Sequence, residues 1–312
     1  MIADESNVAR RSSLSRFLDS DFVYAFTRSP KAILSAAVFA IILVAAVGAP
    51  LLAPHDPFLS PDLMNGLMPP AWISGGSWMF PLGTDDQGRD VLSLIMYGTR
   101  MSLLVGFAAV VLAIVIGLIL GLLSGYVGGW IEAVVMRFAD VQLSFPAILV
   151  ALLISGVVSA TFDRDAQLLL ALPVLVLSIG LSDWVQYART ARGSTLVERN
   201  REYVQAARIM HVAAPKILFR HILPNIVGPI IVIATLGLAS AIIAEATLSF
   251  LGVGMPPTQP SLGTLIRTGN DYLFSGEWWM TVFPALSLVL LALSVNVFGD
   301  WLREALNPRI GK

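Results

Sequence analysis

The stretch TRMSLLVGFAAVVLAIVIGLILGLL, residues 99–123, decides the class of fold to which this chain belongs. Its apolar residues follow one another without alternating with polar ones, which argues against the strands of a membrane barrel. Lipid cannot satisfy backbone polar groups, so an apolar run that crosses about 30 Å of hydrocarbon must be helical. The stretch therefore predicts a membrane-spanning α-helix.

The composition of the whole chain agrees with this prediction. The 312 residues are 56% hydrophobic and 13% charged, whereas soluble domains contain about 25% charged residues. The net charge of −1 gives no reason to expect a nucleic-acid partner. There is no cysteine, which excludes disulfides, catalysis by a thiolate and Cys-ligated metals. There are only three histidines, at spacings that suit no obvious metal site, so we expect no bound metal.

Similar apolar runs recur along the chain. The first run begins after a polar segment, residues 1–31, and is too long and too far from the start for a signal peptide. We therefore predict an all-α membrane protein with one transmembrane domain, residues 32–303, that contains six transmembrane helices. The six predicted spans are residues 32–52, 99–123, 131–158, 166–187, 226–251 and 281–302.

The distribution of lysine and arginine predicts how these spans are oriented. If the N-terminus is inside, 16 of the 20 Lys and Arg residues lie on the cytoplasmic side, as the positive-inside rule expects. Both termini are then cytoplasmic, including a tail at residues 304–312. Residues 53–98 and 252–280 form outer loops, and residues 188–225 form a long cytoplasmic loop.

The cytoplasmic loop contains the basic stretch EYVQAARIMHVAAPKILFRHILPN, residues 202–225. Apolar residues recur there at steps of three and four, which predicts an amphipathic helix, and Pro215 and Pro224 predict breaks. The expected apolar face consists of Tyr203, Ala206, Ala207, Met210 and Val212. Such a helix can lie on the membrane surface or insert into a groove on a cytoplasmic partner, and its pattern leaves both interpretations open.

The same stretch resembles the EAA loop of ATP-binding cassette (ABC) importer permeases. Gln205, Ala206 and Ala207 match the first three positions of that motif, and Ile222–Pro224 match its end. The chain departs from the motif twice, because Gln205 replaces the usual Glu and His211 replaces the usual Gly. Glycine supplies a positive-φ turn, so the turn at His211 is the position at which the resemblance is weakest.

Four further segments resemble permease subunits of the DppC/OppC type, in the dipeptide, oligopeptide and nickel permease family. Together the matches cover nearly the whole chain after about residue 28. The segments are APLLAPHDP at residues 49–57, PLGTDDQGRDVLSLIMYGTRMSLLVGF at 81–107, GLLSGYVGGWIEAVVMRFADVQLSFP at 121–146 and EATLSFLGVG at 245–254.

This resemblance implies a type I ABC importer transmembrane fold in the bacterial cytoplasmic (inner) membrane, surrounded by membrane lipid. It implies that the chain forms half of a translocation pathway for peptides with a second homologous permease subunit. It also implies two cytoplasmic ABC ATPase subunits and an extracytoplasmic substrate-binding protein as partners. The residues that it implies for coupling to the ATPases are Tyr203, Gln205, Ala206, Ala207, Arg208, His211, Leu223 and Pro224.

We expect the chain to be a transport subunit and not an enzyme, with no cofactor of its own. ATP and Mg²⁺ are expected on the partner ATPases, because none of the three lysines lies in the G-x-x-x-x-G-K-[ST] pattern of a phosphate-binding loop. Nickel chelates, glutathione and other peptide-like solutes are alternative substrates. A self-contained secondary transporter or channel is a weaker hypothesis, since it predicts paired ionisable residues in several spans. An intramembrane enzyme is weaker still, because no predicted span contains His or Cys.

Several residues within the predicted spans also suggest roles. Gly117, Gly121 and Gly125 form a face of small residues that lets helices approach closely, either within this subunit or against the partner permease. Glu245 lies deep in a span, where it would line the translocation path or pair with another polar group. For Asp140, we expect either snorkelling toward the membrane surface or pairing with Arg137.

Overall fold

The computed structural model describes residues 26–59 and 62–305. The regular secondary structure of this part of the chain is helical, with no β-strand and only one isolated bridge between Thr84 and Asp90. The predicted all-α class is therefore confirmed. Most of the predicted N-terminal segment, residues 1–31, and most of the predicted tail, residues 304–312, lie outside the described residues.

We number the helices of the described part from α1 to α11. Short 3₁₀ turns lie at Leu63–Asn65 and Leu273–Ser275, and a π-helical turn at Leu218–Ile222 joins α8 to α9. The helices are α1 (Pro30–Val47), α2 (Ala49–Leu52), α3 (Val91–Val127), α4 (Gly129–Leu143), α5 (Ala147–Thr161), α6 (Arg164–Glu198), α7 (Glu202–Ile209), α8 (Ala214–Ile217), α9 (Leu223–Phe250), α10 (Leu262–Tyr272) and α11 (Trp279–Ala305).

Five helices of the described residues are long and apolar enough to cross a membrane: α1, α3, α6, the continuous run Ala214–Phe250 and α11. The predicted third span, residues 131–158, is not one straight helix, which corrects the sequence-based prediction. It is a pair, α4 and α5, that bends by 88° between Leu143 and Ala147. Pro146 explains the break, because proline has no N–H and its ring clashes with the preceding turn. Counting the bent pair as one span gives six.

Polar caps set the beginnings of three long helices. The side chains of Ser29, Asp90 and Asp163 accept hydrogen bonds from the first-turn amides of α1, α3 and α6. Helix α3 has 37 residues and is therefore about 55 Å long, which exceeds the thickness of the hydrocarbon layer. It consequently extends beyond the predicted span 99–123 at both ends. Helix α6 similarly extends to Glu198, into the predicted cytoplasmic loop 188–225.

The helices pack into two adjoining cores. In the first, α3 lies along α6, and buried residues such as Ala113, Tyr187 and Ala188 join the two helices. In the second, α9, α10 and α11 pack around Ile242 and Leu291. The indole N–H of Trp279, at the beginning of α11, donates a 3.1 Å hydrogen bond to the carbonyl of Thr84, which attaches the 53–90 segment to this core.

Candidate functional site

The helix α7 and the turn that follows it form the centre of the segment predicted for coupling. The amide of Val212 donates a 3.0 Å hydrogen bond to the carbonyl of Ala207, and the amide of His211 donates one of 3.0 Å to the carbonyl of Arg208. This pair of bonds is the Schellman arrangement, in which the residue after the cap takes a left-handed conformation. That residue is His211, with φ of 56°. The chain therefore keeps, with histidine, the positive-φ turn for which glycine is usual.

The buried side of α7 differs from the predicted apolar face. Val204 and Ala207 are the buried residues of this helix, with exposures of 0% and 2%. Tyr203, Ala206 and Met210, which we predicted on the apolar face, are exposed. Val204 was missed, although its spacing of three residues from Ala207 is itself helical. The reason is that Ala206 and Ala207 are adjacent and equally small, so the apolar face of the helix can be drawn through either of them.

The side of α7 opposite Val204 and Ala207 is exposed. We call Gln205, Ala206, Ile209 and Met210 the exposed face of α7, since each is exposed and their spacing places them on one side of the helix. Ile209 is 78% exposed and Met210 is 70% exposed, so the face contains large apolar groups. Gln205 makes no hydrogen bond to a described residue. The face is thus available to a partner.

Tyr203 joins the two helices that flank the loop. Its hydroxyl donates a hydrogen bond to the carboxylate of Glu198 at the end of α6 and accepts one of 3.1 Å from the side-chain amide of Asn225 in α9. Asn225 also donates to the carbonyl of His221 at 2.6 Å. Desolvation, together with the bond to Glu198, raises the pKa of Tyr203 to about 12. The phenol therefore remains a neutral donor at physiological pH.

Two arginines attach the loop to the end of α3. The Arg199 guanidinium donates a 2.9 Å hydrogen bond to the carbonyl of Gly125. The Arg208 guanidinium lies over the Tyr126 ring, 5.0 Å from its centroid, within the range of cation–π attraction. Arg208 was predicted for coupling, and the structure places it against the chain's own aromatic ring.

The last predicted coupling residues lie where the loop joins α9. Ile217 and Ile222 are buried beneath this junction, and Leu223 is half-buried. Pro224 is exposed in the first turn of α9, directly after the π-helical turn Leu218–Ile222. The loop therefore lies on a packed base, with contacts to α3, α6 and α9.

Comparison with known proteins shows the family. Residues 113–312 match the family described as "Binding-protein-dependent transport system inner membrane component". This chain belongs to that family of binding-protein-dependent permeases. Residues 19–70 match a second model, "N-terminal TM domain of oligopeptide transport permease C". These matches confirm three predictions: the resemblance to an ABC importer permease of the DppC/OppC type, the type I importer fold, and the location in the inner membrane with several membrane-crossing helices.

Three curated relatives of this permease are similar to it over most of their length. "Dipeptide transport system permease protein DppC" of Escherichia coli (strain K12) is 42% identical over 291 residues, 93% of each chain. "Di/tripeptide transport system permease protein DppC" of Pseudomonas aeruginosa (strain UCBPP-PA14) is 35% identical, covering 86% of this chain and 85% of the relative. "Probable D,D-dipeptide transport system permease protein DdpC" of Escherichia coli (strain K12) is 33% identical, covering 100% and 98%.

The small-residue face of the permease packs within the subunit. A Cβ atom on Gly117 would lie 2.5 Å from the carbonyl oxygen of Trp184, and one on Gly125 would lie 2.8 Å from the Cβ of Thr195. Gly121 makes the same approach to Ala188. The glycine face thus packs α3 against α6 within this subunit, which is the first of the two alternatives raised by the sequence.

Glu245 of the permease is enclosed by polar partners. It is fully buried, and its two carboxylate oxygens accept 2.6 Å hydrogen bonds from the hydroxyls of Ser102 and Ser249. The Ser102 hydroxyl in turn accepts a bond from the amide of Leu262. The carboxylate therefore joins α3, α9 and α10. The sequence left open whether Glu245 lines the translocation path or pairs with another polar group, and in the structure it pairs with polar groups between helices.

Asp140 pairs across the bundle and not along its own helix. Its carboxylate lies 2.6 Å from the guanidinium of Arg189 on α6, which corrects the expected pairing with Arg137. A second pair, Glu132 with Arg192, joins the same two helices and was not predicted. Sequence spacing favours i,i+3 partners, whereas the fold brings α4 against α6. Within the described residues, no three His, Asp or Glu side chains are grouped so as to hold a metal ion.

Proposed function

We propose that this permease is one transmembrane subunit of an ATP-driven importer of peptides, and that the exposed face of α7 docks onto a cytoplasmic ATPase subunit. The chain would form half of the translocation pathway with a second, homologous permease. A substrate-binding protein would deliver solute at the outer loops, and ATP would be hydrolysed by the ATPase subunits.

One observation carries the coupling proposal. The exposed face of α7 belongs to a loop that is fastened to three membrane-crossing helices: to α3 through Arg199, and to α6 and α9 through Tyr203. A force on Ile209 or Met210 would therefore displace the ends of all three helices together. A flexible loop could not transmit such a movement.

Peptides are the substrate class that the relatives favour, because each of the three named relatives is a transport permease for dipeptides or for di- and tripeptides. Nickel chelates, glutathione and other peptide-like solutes remain the alternatives within the same importer design. The inside position of both termini, and hence of α7, rests on the distribution of Lys and Arg.

The experiment is co-purification of the tagged chain with the products of neighbouring permease and ATPase genes. We expect Ile209→Asp to reduce recovery of the ATPase subunits more than tenfold, because a charge would replace an apolar contact, while the second permease is retained. Phe274→Asp is the matched control: Phe274 is 97% exposed and lies after α10, away from the loop. Undiminished ATPase recovery with Ile209→Asp would favour a membrane-surface helix instead.

A further inference from the structure

A cavity of about 650 Å³ opens between α5, α6, the end of α9 and α10. Its volume lies within the range of about 300–1,000 Å³ that is usual for small-ligand sites. The turn after α9 forms one wall, where Gly252, with φ of 86°, occupies the left-handed position. The polar residues that line the cavity are Ser155, Gln167, Ser249, Thr264, Arg267, Thr268 and Asp271.

The cavity contains one positive and one negative side chain. Arg267 and Asp271 are four residues apart on α10 and therefore lie on the same side of that helix. Neither forms an ion pair or a hydrogen bond within the described residues. The Arg267 guanidinium lies against Gly252, whose lack of a side chain provides the space for it. Two opposite charges are thus presented to the cavity without partners among the described residues.

A buried hydroxyl in the same cavity also lacks a partner. Ser155 on α5 is 4% exposed, and its Oγ has no hydrogen-bond partner among the described residues. The Oγ itself has almost no accessible surface, so Ser155 belongs to the packed wall of the cavity and does not offer its hydroxyl to a ligand.

The floor of the cavity is held by hydrogen bonds. Ser249 lines it, donates its hydroxyl hydrogen to Glu245 at 2.6 Å and accepts the amide of Met255 at 3.2 Å. Glu245 is also bonded to Ser102 on α3. The carboxylate therefore lies beneath the cavity and holds its floor in place.

We propose that this cavity is a transit site for the zwitterionic form of a short peptide, a proposal that rests on the proposed function. Arg267 binds the terminal carboxylate, with which a guanidinium forms strong paired hydrogen bonds. Asp271 faces the terminal ammonium group. The cavity thus recognises features that all short peptides share, and it does so independently of their side chains.

The test uses the absence of cysteine from this chain. Val158, which lines the cavity on α5, is changed to cysteine in the complete complex with its permease partner and ATPases in lipid nanodiscs. The labelling rate of Val158→Cys is measured with an anionic sulfonate and a cationic trimethylammonium methanethiosulfonate reagent. The measurement is repeated with a dialanine-loaded binding protein. Phe274→Cys, outside the cavity, is the matched control.

We expect Arg267→Gln to lower the ratio of anionic to cationic labelling at Val158→Cys about fivefold, as the loss of one nearby charge predicts. Asp271→Asn should raise the ratio by a similar factor. The loaded binding protein should slow labelling at Val158→Cys, and this protection should disappear with Arg267→Gln. Labelling at Phe274→Cys should respond to neither change.

Protection that persists unchanged in Arg267→Gln, or labelling that does not respond to the peptide in the wild-type background, would overturn the transit site. The proposed function is checked separately by ATP-dependent uptake of dialanine and of longer peptides into liposomes that contain the wild-type complex. Absence of all peptide uptake there would overturn the proposed function and the inference with it. Normal uptake without protection would overturn the inference alone.

Discussion

A Cβ atom added to Gly121 would lie 2.5 Å from the carbonyl oxygen of Ala188, so α3 and α6 are in close contact at these two residues. Gly117 and Gly125 continue the contact one helical turn away on either side. This seam joins the longest helix of the described residues to the helix that leads into the loop around α7.

Gly121→Ala should therefore destabilise the subunit by about 1–3 kcal/mol, the usual cost of overpacking. Gly193→Ala is the matched control, because Gly193 lies in α6 with nothing within 4 Å of the added atom. There the substitution should stabilise the helix by about 0.5–1 kcal/mol. Thermal denaturation of the purified subunit measures both, and equal effects of the two substitutions would contradict a tight seam.

His211→Gly should stabilise the loop by about 1 kcal/mol, because glycine adopts a left-handed conformation without the steric cost that other residues incur. His211→Val should destabilise it, since a β-branched side chain is least tolerated there. Melting temperature and ATP-dependent uptake are the two measurements. A less stable glycine variant would show that the imidazole makes a contact of its own.

Ala207→Asp and Ala206→Asp should differ although the two residues are neighbours. Ala207 is 2% exposed, so a carboxylate there would be buried and would lower the melting temperature. Ala206 is exposed, and its substitution should change the stability by less than about 0.5 kcal/mol while weakening ATPase binding. Melting temperature and co-purification distinguish the two effects, and the reverse pattern would show that the faces of α7 are assigned incorrectly.

Glu245→Ala should destabilise the subunit by about 1–3 kcal/mol or more, since it leaves the buried hydroxyls of Ser102 and Ser249 without their acceptor. Ser102→Ala should have a smaller effect, because Glu245 keeps the bond to Ser249. The measurements are melting temperature and uptake at a temperature well below the transition. A Glu245→Ala variant with unchanged stability and altered uptake would instead place Glu245 on the translocation path.

The stability of the 53–90 segment should show a pH dependence that is due to Asp86. Desolvation and the neighbouring charge of Asp85 raise the pKa of Asp86 above its usual value. The folded state therefore favours the protonated form, so this residue's contribution to stability should increase as the pH falls through its raised pKa. Asp86→Asn should accordingly raise the melting temperature at neutral pH and remove this part of the pH dependence. An unchanged difference between variant and wild type from pH 7.5 to pH 4.5 would contradict the assignment.

The apolar runs and the loop motif could be recognised in the sequence because they depend on local chemistry. Each long apolar run corresponds to helical structure, although the run at residues 131–158 bends at Pro146. The motif around Gln205–Ala207 identified the family that the comparisons then showed. Which side of α7 is buried was not predictable, because Ala206 and Ala207 are equally apolar and only the packing of α7 against its neighbours distinguishes them.

The sequence by itself determined that the chain is a helical membrane protein of the ABC permease type, because hydrophobicity and motif spacing are properties of a single segment. Only the tertiary structure decided that Asp140 pairs with Arg189, that Gly121 approaches Ala188, and that Glu245 bonds to Ser102. These pairs join residues that are distant in the chain. Their contacts depend on the rotation and offset of one helix against another, which the pattern along a single helix does not specify.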